Sequence, residues 1–414
     1  MKRKKIVLFG LFGQQNLGNE CTLQAMLYHV RKSIPDAEIS CICTGPEDTR
    51  SRHGIPAFEM YPASDQGGQD GKNFLPRFLL KITAWAWREV QHGVRAFKTL
   101  RGSDLVIVPG TGLLVDHTTG FRGYPYYIFK WAIIAKLCRC KFLIVSIGAG
   151  PISHPLSKFF IKTALSLADY RSYRDTFSKV YIESIGFVRS DDPIYPDLAF
   201  SLPENTIHEG RRSDTSRTVV GVGLIDYFGQ GSKHGWAGRD VYCDYINKTG
   251  AFITWLLDNN YRVRLVIGDI GCDMTAIKDV LEFIEKRGGS CGDVQIIHEP
   301  IISVEELLTQ LARTDIVVSP RFHNIILALM LKKRVISLSY NEKFESLMLD
   351  FGLERYCQRL DELDVNGLIE LLTSLERDHD NLALRISKRT EECRRALEEQ
   401  YKAIFKGFGS CRTD

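Results

Sequence analysis

The stretch Asp315-Ile316-Val317-Val318-Ser319-Pro320-Arg321-Phe322-His323-Asn324, running on into Ile325-Ile326-Leu327-Ala328-Leu329-Met330, decides the fold. Its β-branched run reads as a fully buried strand that ends at Ser319, and a strongly apolar helix begins just beyond it. The next β-branched run, 334–339, completes a strand-helix-strand unit, and a crossover helix of that kind joins parallel strands.

The same rhythm extends outward. In the first half of the chain it predicts strands at 6–9, 38–42, 105–108, 142–147 and 169–173. In the second half it predicts strands at 219–224, 262–267, 294–297, 315–319 and 334–339. Between the first two strands Leu23, Met26, Leu27 and Val30 recur at helical spacing. Near-continuous apolar strands alternating with helices belong to a parallel sheet covered on both faces, so the fold class is α/β with two doubly wound, Rossmann-like domains. A polar, aperiodic stretch at 203–216, containing Glu209-Gly210-Arg211-Arg212-Ser213-Asp214, reads as the linker. The expected domains are therefore 1–205 and 215–380, followed by a helix within 381–414 that can cross back to brace the first domain. Ligands of open α/β sheets bind at the carboxyl ends of the strands, which here predicts a cleft between the two domains.

Composition narrows the function. With 414 residues, 44% of them hydrophobic, the chain has material for two full cores. Lys plus Arg total 54 against 50 Asp plus Glu, a net +4 that excludes the footprint of an obligate nucleic-acid binder. The 11 cysteines are scattered and mostly apolar in context, which points to reduced thiols and a cytoplasmic protein. Cys41-x-Cys43 and Cys138-x-Cys140 lack metal-ligand spacing, so no metal site is expected. No apolar run approaches the roughly 18 residues of a membrane-spanning helix. Lys2 to Lys5 before Ile6-Val7-Leu8-Phe9 imitates a signal peptide, but glycines interrupt the run at once and it reads as the first buried strand. The stretch 74–101 mixes Phe78, Trp85 and Trp87 with Arg77, Lys81, Arg88, Arg95, Lys98 and Arg101, a pattern suited either to a surface helix or to a peripheral contact with an anionic bilayer.

Candidate site residues cluster at strand ends. The loop Gly10 to Glu20 follows a strand and opens a helix, a setting that can hold an anion. Its spacing is neither that of a dinucleotide fingerprint nor that of a P-loop. Small residues also end strands at Gly110-Thr111-Gly112, ahead of Asp116-His117, and at Gly148-Ala149-Gly150. Arg321 and His323 stand at a helix N-terminus, where positive side chains oppose the dipole unless an anion neutralises them. Lys343, in Ser339-Tyr340-Asn341-Glu342-Lys343, is a further cation at the same sheet edge, and Arg174 leaves a strand of the first half. Arg174, Arg321, His323 and Lys343 are thus expected to converge on a small anion carrying phosphate and carboxylate.

With these residues in view, the sequence resembles the polysaccharide pyruvyl transferase family. The resemblance rests on Asn16-Leu17-Gly18-Asn19-Glu20, on Ser319-Pro320-Arg321-Phe322-His323, on the Ser339 to Lys343 block with Leu347-Met348, and on Arg174-Asp175-Thr176-Phe177-Ser178, which matches an arginine-aspartate-x-x-serine element. Asn19 stands where the family usually has aspartate, and the glycine triplet reads Gly110-Thr111-Gly112. The resemblance implies a GT-B-like arrangement of the two domains and transfer of a pyruvyl group from phosphoenolpyruvate onto two saccharide hydroxyls, with a cyclic ketal and phosphate as products. It implies that Arg174, Arg321, His323 and Lys343 hold phosphoenolpyruvate, with no cofactor. The acceptor would be a lipid-linked oligosaccharide of bacterial capsule or exopolysaccharide synthesis, met in the cytoplasm or at the inner membrane face.

His323 is the candidate acid and Asp116 the candidate base for the sugar hydroxyl. Asn16, Gly18, Gly110 and Gly112 are, with Asp116, the acceptor-side candidates. A nucleotide-sugar glycosyltransferase and a non-catalytic anion or saccharide sensor are the competing readings.

Overall fold

The computed structural model describes residues 3–62, 74–203, 206, 217–228, 236–287 and 295–406, with the side chains of 74–82, 84–85 and 236–237 outside the description. All but the first residue and Thr206 of the expected linker at 203–216 also fall outside it.

Buried β-branched runs become two parallel sheets. The first holds β1 (Lys5–Gly10), β2 (Glu38–Cys43), β3 (Ala57–Glu59), β4 (Leu105–Pro109), β5 (Lys141–Ile147) and β6 (Tyr170–Tyr173) in the order β3-β2-β1-β4-β5-β6. The second holds β7 (Val219–Gly223), β8 (Arg262–Val266), β9 (Ile296–Ile297), β10 (Ile316–Ser319), β11 (Arg334–Ser339) and β12 (Cys357–Arg359) in the order β9-β8-β7-β10-β11-β12. Both repeat the 3-2-1-4-5-6 order of a doubly wound sheet, so each has a switch point, β1 against β4 and β7 against β10. Every expected strand is present: β1, β2, β4 and β5 extend by a residue or two, β11 matches, β6 to β10 are shorter, and β3 and β12 are additions at the edges.

The connecting helices are α1 (Leu17–Ser33), α2 (Pro46–His53), α3 (Phe74–Leu100), α4 (Tyr124–Leu137), α5 (Pro155–Leu167), α6 (Thr176–Ser184), α7 (Trp236–Asp258), α8 (Asp273–Lys286), α9 (Val304–Ala312), α10 (Phe322–Met330), α11 (Glu342–Asp350), α12 (Val365–Arg377) and α13 (His379–Phe405). No helix among the described residues is long and apolar enough to cross a membrane.

A repeated device aligns the strands. Asp104, Asp169 and Asp315 stand just before β4, β6 and β10, and each accepts a neighbouring strand's backbone N–H, from Lys5 at 2.9 Å, Phe142 at 2.7 Å and Val219 at 2.8 Å. These clamps sit at the amino ends of the sheets, opposite the edge where ligands bind.

The chain forms two compact units that do not follow the order of the sequence. One comprises Met1–Gln14, His29–Tyr195 and Lys402–Asp414, and the other Gln15–Tyr28 and Pro196–Tyr401. Residues 15–28, expected within a first domain of 1–205, join the second sheet because Leu17 N–H donates to Gly268 O (3.0 Å) and Ile270 N–H to Gln15 O (3.1 Å). The C-terminal helix, expected as a brace for the first domain, is held through Tyr401 in the second unit. There Thr390 Oγ1 donates to Leu329 O at 3.0 Å and Tyr401 Oη lies 2.9 Å from Ser201 Oγ.

In the first unit α3 is fastened to α4 by a buried polar knot. Glu89 accepts from Lys130 Nζ (2.5 Å), Tyr126 Oη (3.1 Å) and Tyr127 Oη (3.2 Å), and Lys130 Nζ also lies 2.8 Å from His92 Nδ1. Burial, reinforced by the Lys130 charge, pushes the His92 pKa from 6.5 down to about 4. Between those values the unfolded chain binds a proton that the folded chain does not, so the contribution is complete above pH 6.5 and is lost as the pH falls toward 4. By order of magnitude the loss is about 3 kcal/mol. Urea unfolding across this range should show that decline in the native protein, and a slope shallower by about one proton in His92→Phe.

Candidate functional site

At the switch point of the second sheet, β10 ends at Ser319 and Pro320 turns the chain into α10. Arg321 is the N-cap residue of that helix, and its backbone N–H donates to Ser319 Oγ at 3.1 Å. A cation here opposes the helix dipole, and the sequence alone requires an external anion to neutralise it. The structure supplies part of that neutralisation from the chain itself. Asp273, fully buried at the start of α8, accepts from Arg321 Nε at 2.9 Å through Oδ2 and pairs with Arg321 Nη2 through Oδ1. Its Oδ2 also accepts the N–H groups of Gly268 and Asp269, both at 2.9 Å. Burial raises the Asp273 pKa against the pull of Arg321, whereas for Arg321 burial is the largest influence and lowers the pKa, but the Asp273 charge and hydrogen bond, with Tyr340 and Asp269, together raise it.

His323 lies in the first turn of α10 with its side chain 18% exposed, its Nε2 3.7 Å from Asp197 Oδ2. The buried Asp197 is itself fixed, because Oδ1 accepts the Ala199 N–H at 3.0 Å and caps the 3-10 turn Leu198–Ser201. The other flank of the imidazole is walled by α1. A Cβ at Gly18 would stand 2.0 Å from His323 Nδ1, so the close approach admits glycine alone. Asn16 caps α1 by accepting the Asn19 N–H (3.2 Å) and donates to Asp269 Oδ2 (3.2 Å). Asn16 and Gly18, expected on the acceptor side among first-domain loops, therefore belong beside His323 in the second unit.

Lys343, near the start of α11, completes the group. Its Nζ lies 5.1 Å from the Phe322 ring centre and 5.5 Å from that of Phe344, and the Phe322 ring packs edge-on to His323 at 5.6 Å. Arg321, His323 and Lys343 thus share one sheet edge, with Phe322 between the last two.

Sequence reasoning missed three residues here: Asp273, Asp197 and Asn324. Asn324 is fully buried, neither of its side-chain polar atoms meets a hydrogen-bond partner among the described residues, and its Oδ1 is 3.2 Å from where a Gly268 Cβ would stand. Such an orphaned amide beside a cationic cluster marks a polar site rather than core. An acidic first helical turn hinted at Asp273, whereas the approach of Asp197 to His323 and the burial of the Asn324 amide had no local signal.

In the first unit Arg174 follows β6, with Nε 3.3 Å from Asp175 Oδ2. Its guanidinium lies across Gly148, where a Cβ would come within 2.5 Å of Nη2. Asp175 Oδ1 accepts the Ser178 N–H at 2.6 Å, and Ser178 Oγ accepts the Ala149 N–H at 3.0 Å, so the aspartate and serine of this element cap α6 and brace 148–150. Asp116 departs from the catalytic base expected. It is 5% exposed and its oxygens accept the Ser153 N–H (3.0 Å), the His154 N–H (2.8 Å) and the Ser153 hydroxyl (3.3 Å). Burial alone would raise its pKa, but these donors hold it below the usual carboxylate range, which suits a turn clamp better than a base. Gly110 N–H donates to Val145 O at 2.8 Å, and Gly112 faces open space. Among the described residues no group of His, Cys, Asp and Glu is arranged to hold a metal ion.

The whole chain is similar to solved structures of the GT-B class. A Listeria monocytogenes structure assigned as a UDP-N-acetylglucosamine 2-epimerase is 11% identical, covers 98% of this chain and 97% of its own, and has a TM-score of 0.62. The Neisseria meningitidis UDP-GlcNAc 2-epimerase bound to UDP-GlcNAc is 11% identical over 98% of this chain and 100% of its own, at 0.58. Acinetobacter baumannii MurG is 9% identical over 98% and 100%, at 0.54. At such identities the likeness shows the fold alone: a GT-B protein. No curated protein matches the sequence. A family model for polysaccharide pyruvyl transferase matches residues 16–342, and the chain belongs to that family of transferases.

Two glycine substitutions separate the wall of the site from its surroundings. Gly18→Ala should displace the imidazole and cost about 1–3 kcal/mol by overpacking. Gly112→Ala, entering open space, should leave both stability and the His323 ring resonances unchanged when chemical denaturation and histidine-selective NMR are compared.

Proposed function

We propose that this chain transfers the pyruvyl unit of phosphoenolpyruvate to two hydroxyls of a lipid-linked saccharide, forming a cyclic ketal in bacterial capsule or exopolysaccharide synthesis in the cytoplasm. Family membership supports the reaction class, and one observation carries the site assignment: Arg321, His323 and Lys343 share the switch-point edge of the second sheet. The Arg321 fork and the Lys343 ammonium would take the donor's phosphate and carboxylate, with Arg174 added on the family's element.

The chemistry needs a proton at C3 of the enol and an oxygen nucleophile at C2. His323 would deliver the first, held in orientation by Asp197 at 3.7 Å and by the Gly18 wall. As C3 gains its proton, the first hydroxyl adds to C2, and its proton replaces the one His323 gave up. The C2–O bond to phosphate then breaks, the second hydroxyl closes the ketal, and its proton leaves with the phosphate. No cofactor enters this balance.

Purified protein given phosphoenolpyruvate and a lipid-linked oligosaccharide extract should release phosphate and yield a product with a ketal methyl resonance by NMR. His323→Ala should lower phosphate release by about 10²–10⁴-fold. Asp197→Asn should lower kcat by roughly tenfold with little change in KM, as expected of a group that orients the acid. Release of a nucleoside diphosphate from a nucleotide sugar, with none of phosphate from phosphoenolpyruvate, would overturn the proposal.

A further inference from the structure

The first unit carries a surface that the transfer chemistry does not use. On α3, His92, Ala96 and Leu100 are buried against the unit. A second line of apolar residues on the same helix faces outward: Trp87 (63% exposed), Val90 (57%), Val94 (51%) and Phe97 (39%). Spaced three, four and three apart, they fall within about 80° of one another around the helix and form a continuous ridge. A soluble surface helix turns charged residues outward at these positions.

The charges beside the ridge are of one sign. Arg88, Arg95, Lys98 and Arg101 flank it, while Glu89, the one acidic residue of α3, is turned inward onto Lys130, Tyr126 and Tyr127. The end of α4 extends the surface, since Cys138 Sγ lies 3.7 Å from Phe97 O and its neighbours Leu137 (67% exposed) and Arg139 are exposed. The knot at Glu89, His92 and Lys130 holds the helix by its opposite side, so the ridge is presented on a fixed support rather than on a loose segment.

We infer that this face of α3 docks on an anionic phospholipid bilayer, with the helix lying in the interfacial plane. Trp87 and the branched side chains would enter the headgroup and acyl boundary, and the flanking cations would meet lipid phosphates. A second copy of the chain is the poorer occupant, because apposing two such faces would bring like charges together around the apolar ridge. The inference rests on α3 and the end of α4 and is independent of the reaction proposed for the second unit.

Flotation of the full-length protein with vesicles tests it. With phosphatidylcholine containing about one-third phosphatidylglycerol the protein should float, and with phosphatidylcholine alone it should stay in the soluble fraction. The triple charge reversal Arg95→Glu, Lys98→Glu and Arg101→Glu should lower partitioning at least about 30-fold. Trp87→Ser with Val94→Ser should lower it by about tenfold or more at unchanged charge. Circular dichroism and the melting transition check that each variant is folded. Absence of flotation with anionic vesicles, equal flotation with neutral ones, or binding unmoved by these folded variants would overturn the inference. So would light scattering that shows a native dimer broken by Trp87→Ser with Val94→Ser.

Discussion

The buried pair of Asp273 and Arg321 is the interaction on which the second unit's site depends. Asp273 gathers the Gly268 and Asp269 N–H groups and the Arg321 guanidinium at one carboxylate, which ties the end of β8 to the start of α10. The turn it fixes is the turn that receives the chain from 15–17: Gly268 O accepts the Leu17 N–H, and Asp269 Oδ2 accepts the Asn16 amide. That docking in turn sets Gly18 against His323. Loss of one partner would leave a buried charge uncompensated, at a cost of about 3–5 kcal/mol, and would release the turn that positions the imidazole.

A network built this way explains which parts of the molecule are legible in sequence. Most of the ten expected strands announce themselves because a parallel sheet buries both faces, and their runs are predominantly apolar. Ala57–Glu59 and Cys357–Arg359 are too short and too mixed in polarity to stand out, and they pair at sheet edges where little burial is demanded. Arg321, His323 and Lys343 are legible by position, since each follows a strand end and opens a helix. Their partners are not, because Asp273 lies 48 residues from Arg321 and a pairing of that span leaves no local period. The docking of 15–28 on the second sheet is hidden for the same reason: main-chain hydrogen bonds from Leu17 and Ile270 make it, and backbone groups carry no residue signature.

The two sheets share one strand order, yet their switch points are furnished differently. In the second unit the cations follow β10 and β11, whose helices begin with Arg321 as cap residue and with Lys343 in the first turn. In the first unit the corresponding edges are glycine-bearing loops held by capping acids, Asp116 for 153–154 and Asp175 for Ser178. At Asp116 hydrogen bonds from backbone N–H groups favour the ionised form and hold the pKa below the usual carboxylate range. In the second unit His323 stands 3.7 Å from Asp197 and remains partly exposed.

This division bears on the sign of the site. A net charge of +4 over 414 residues gives little field of its own, and the Arg321 charge is met by Asp273 within the protein. The cations at this edge therefore do not form an unopposed cationic hole. They are donors fixed in place: a guanidinium held by its carboxylate, an ammonium seated over Phe322 and Phe344, and an imidazole confined between Gly18 and Asp197. Pre-organised donors of this kind act through geometry and need little reorganisation when charge develops beside them.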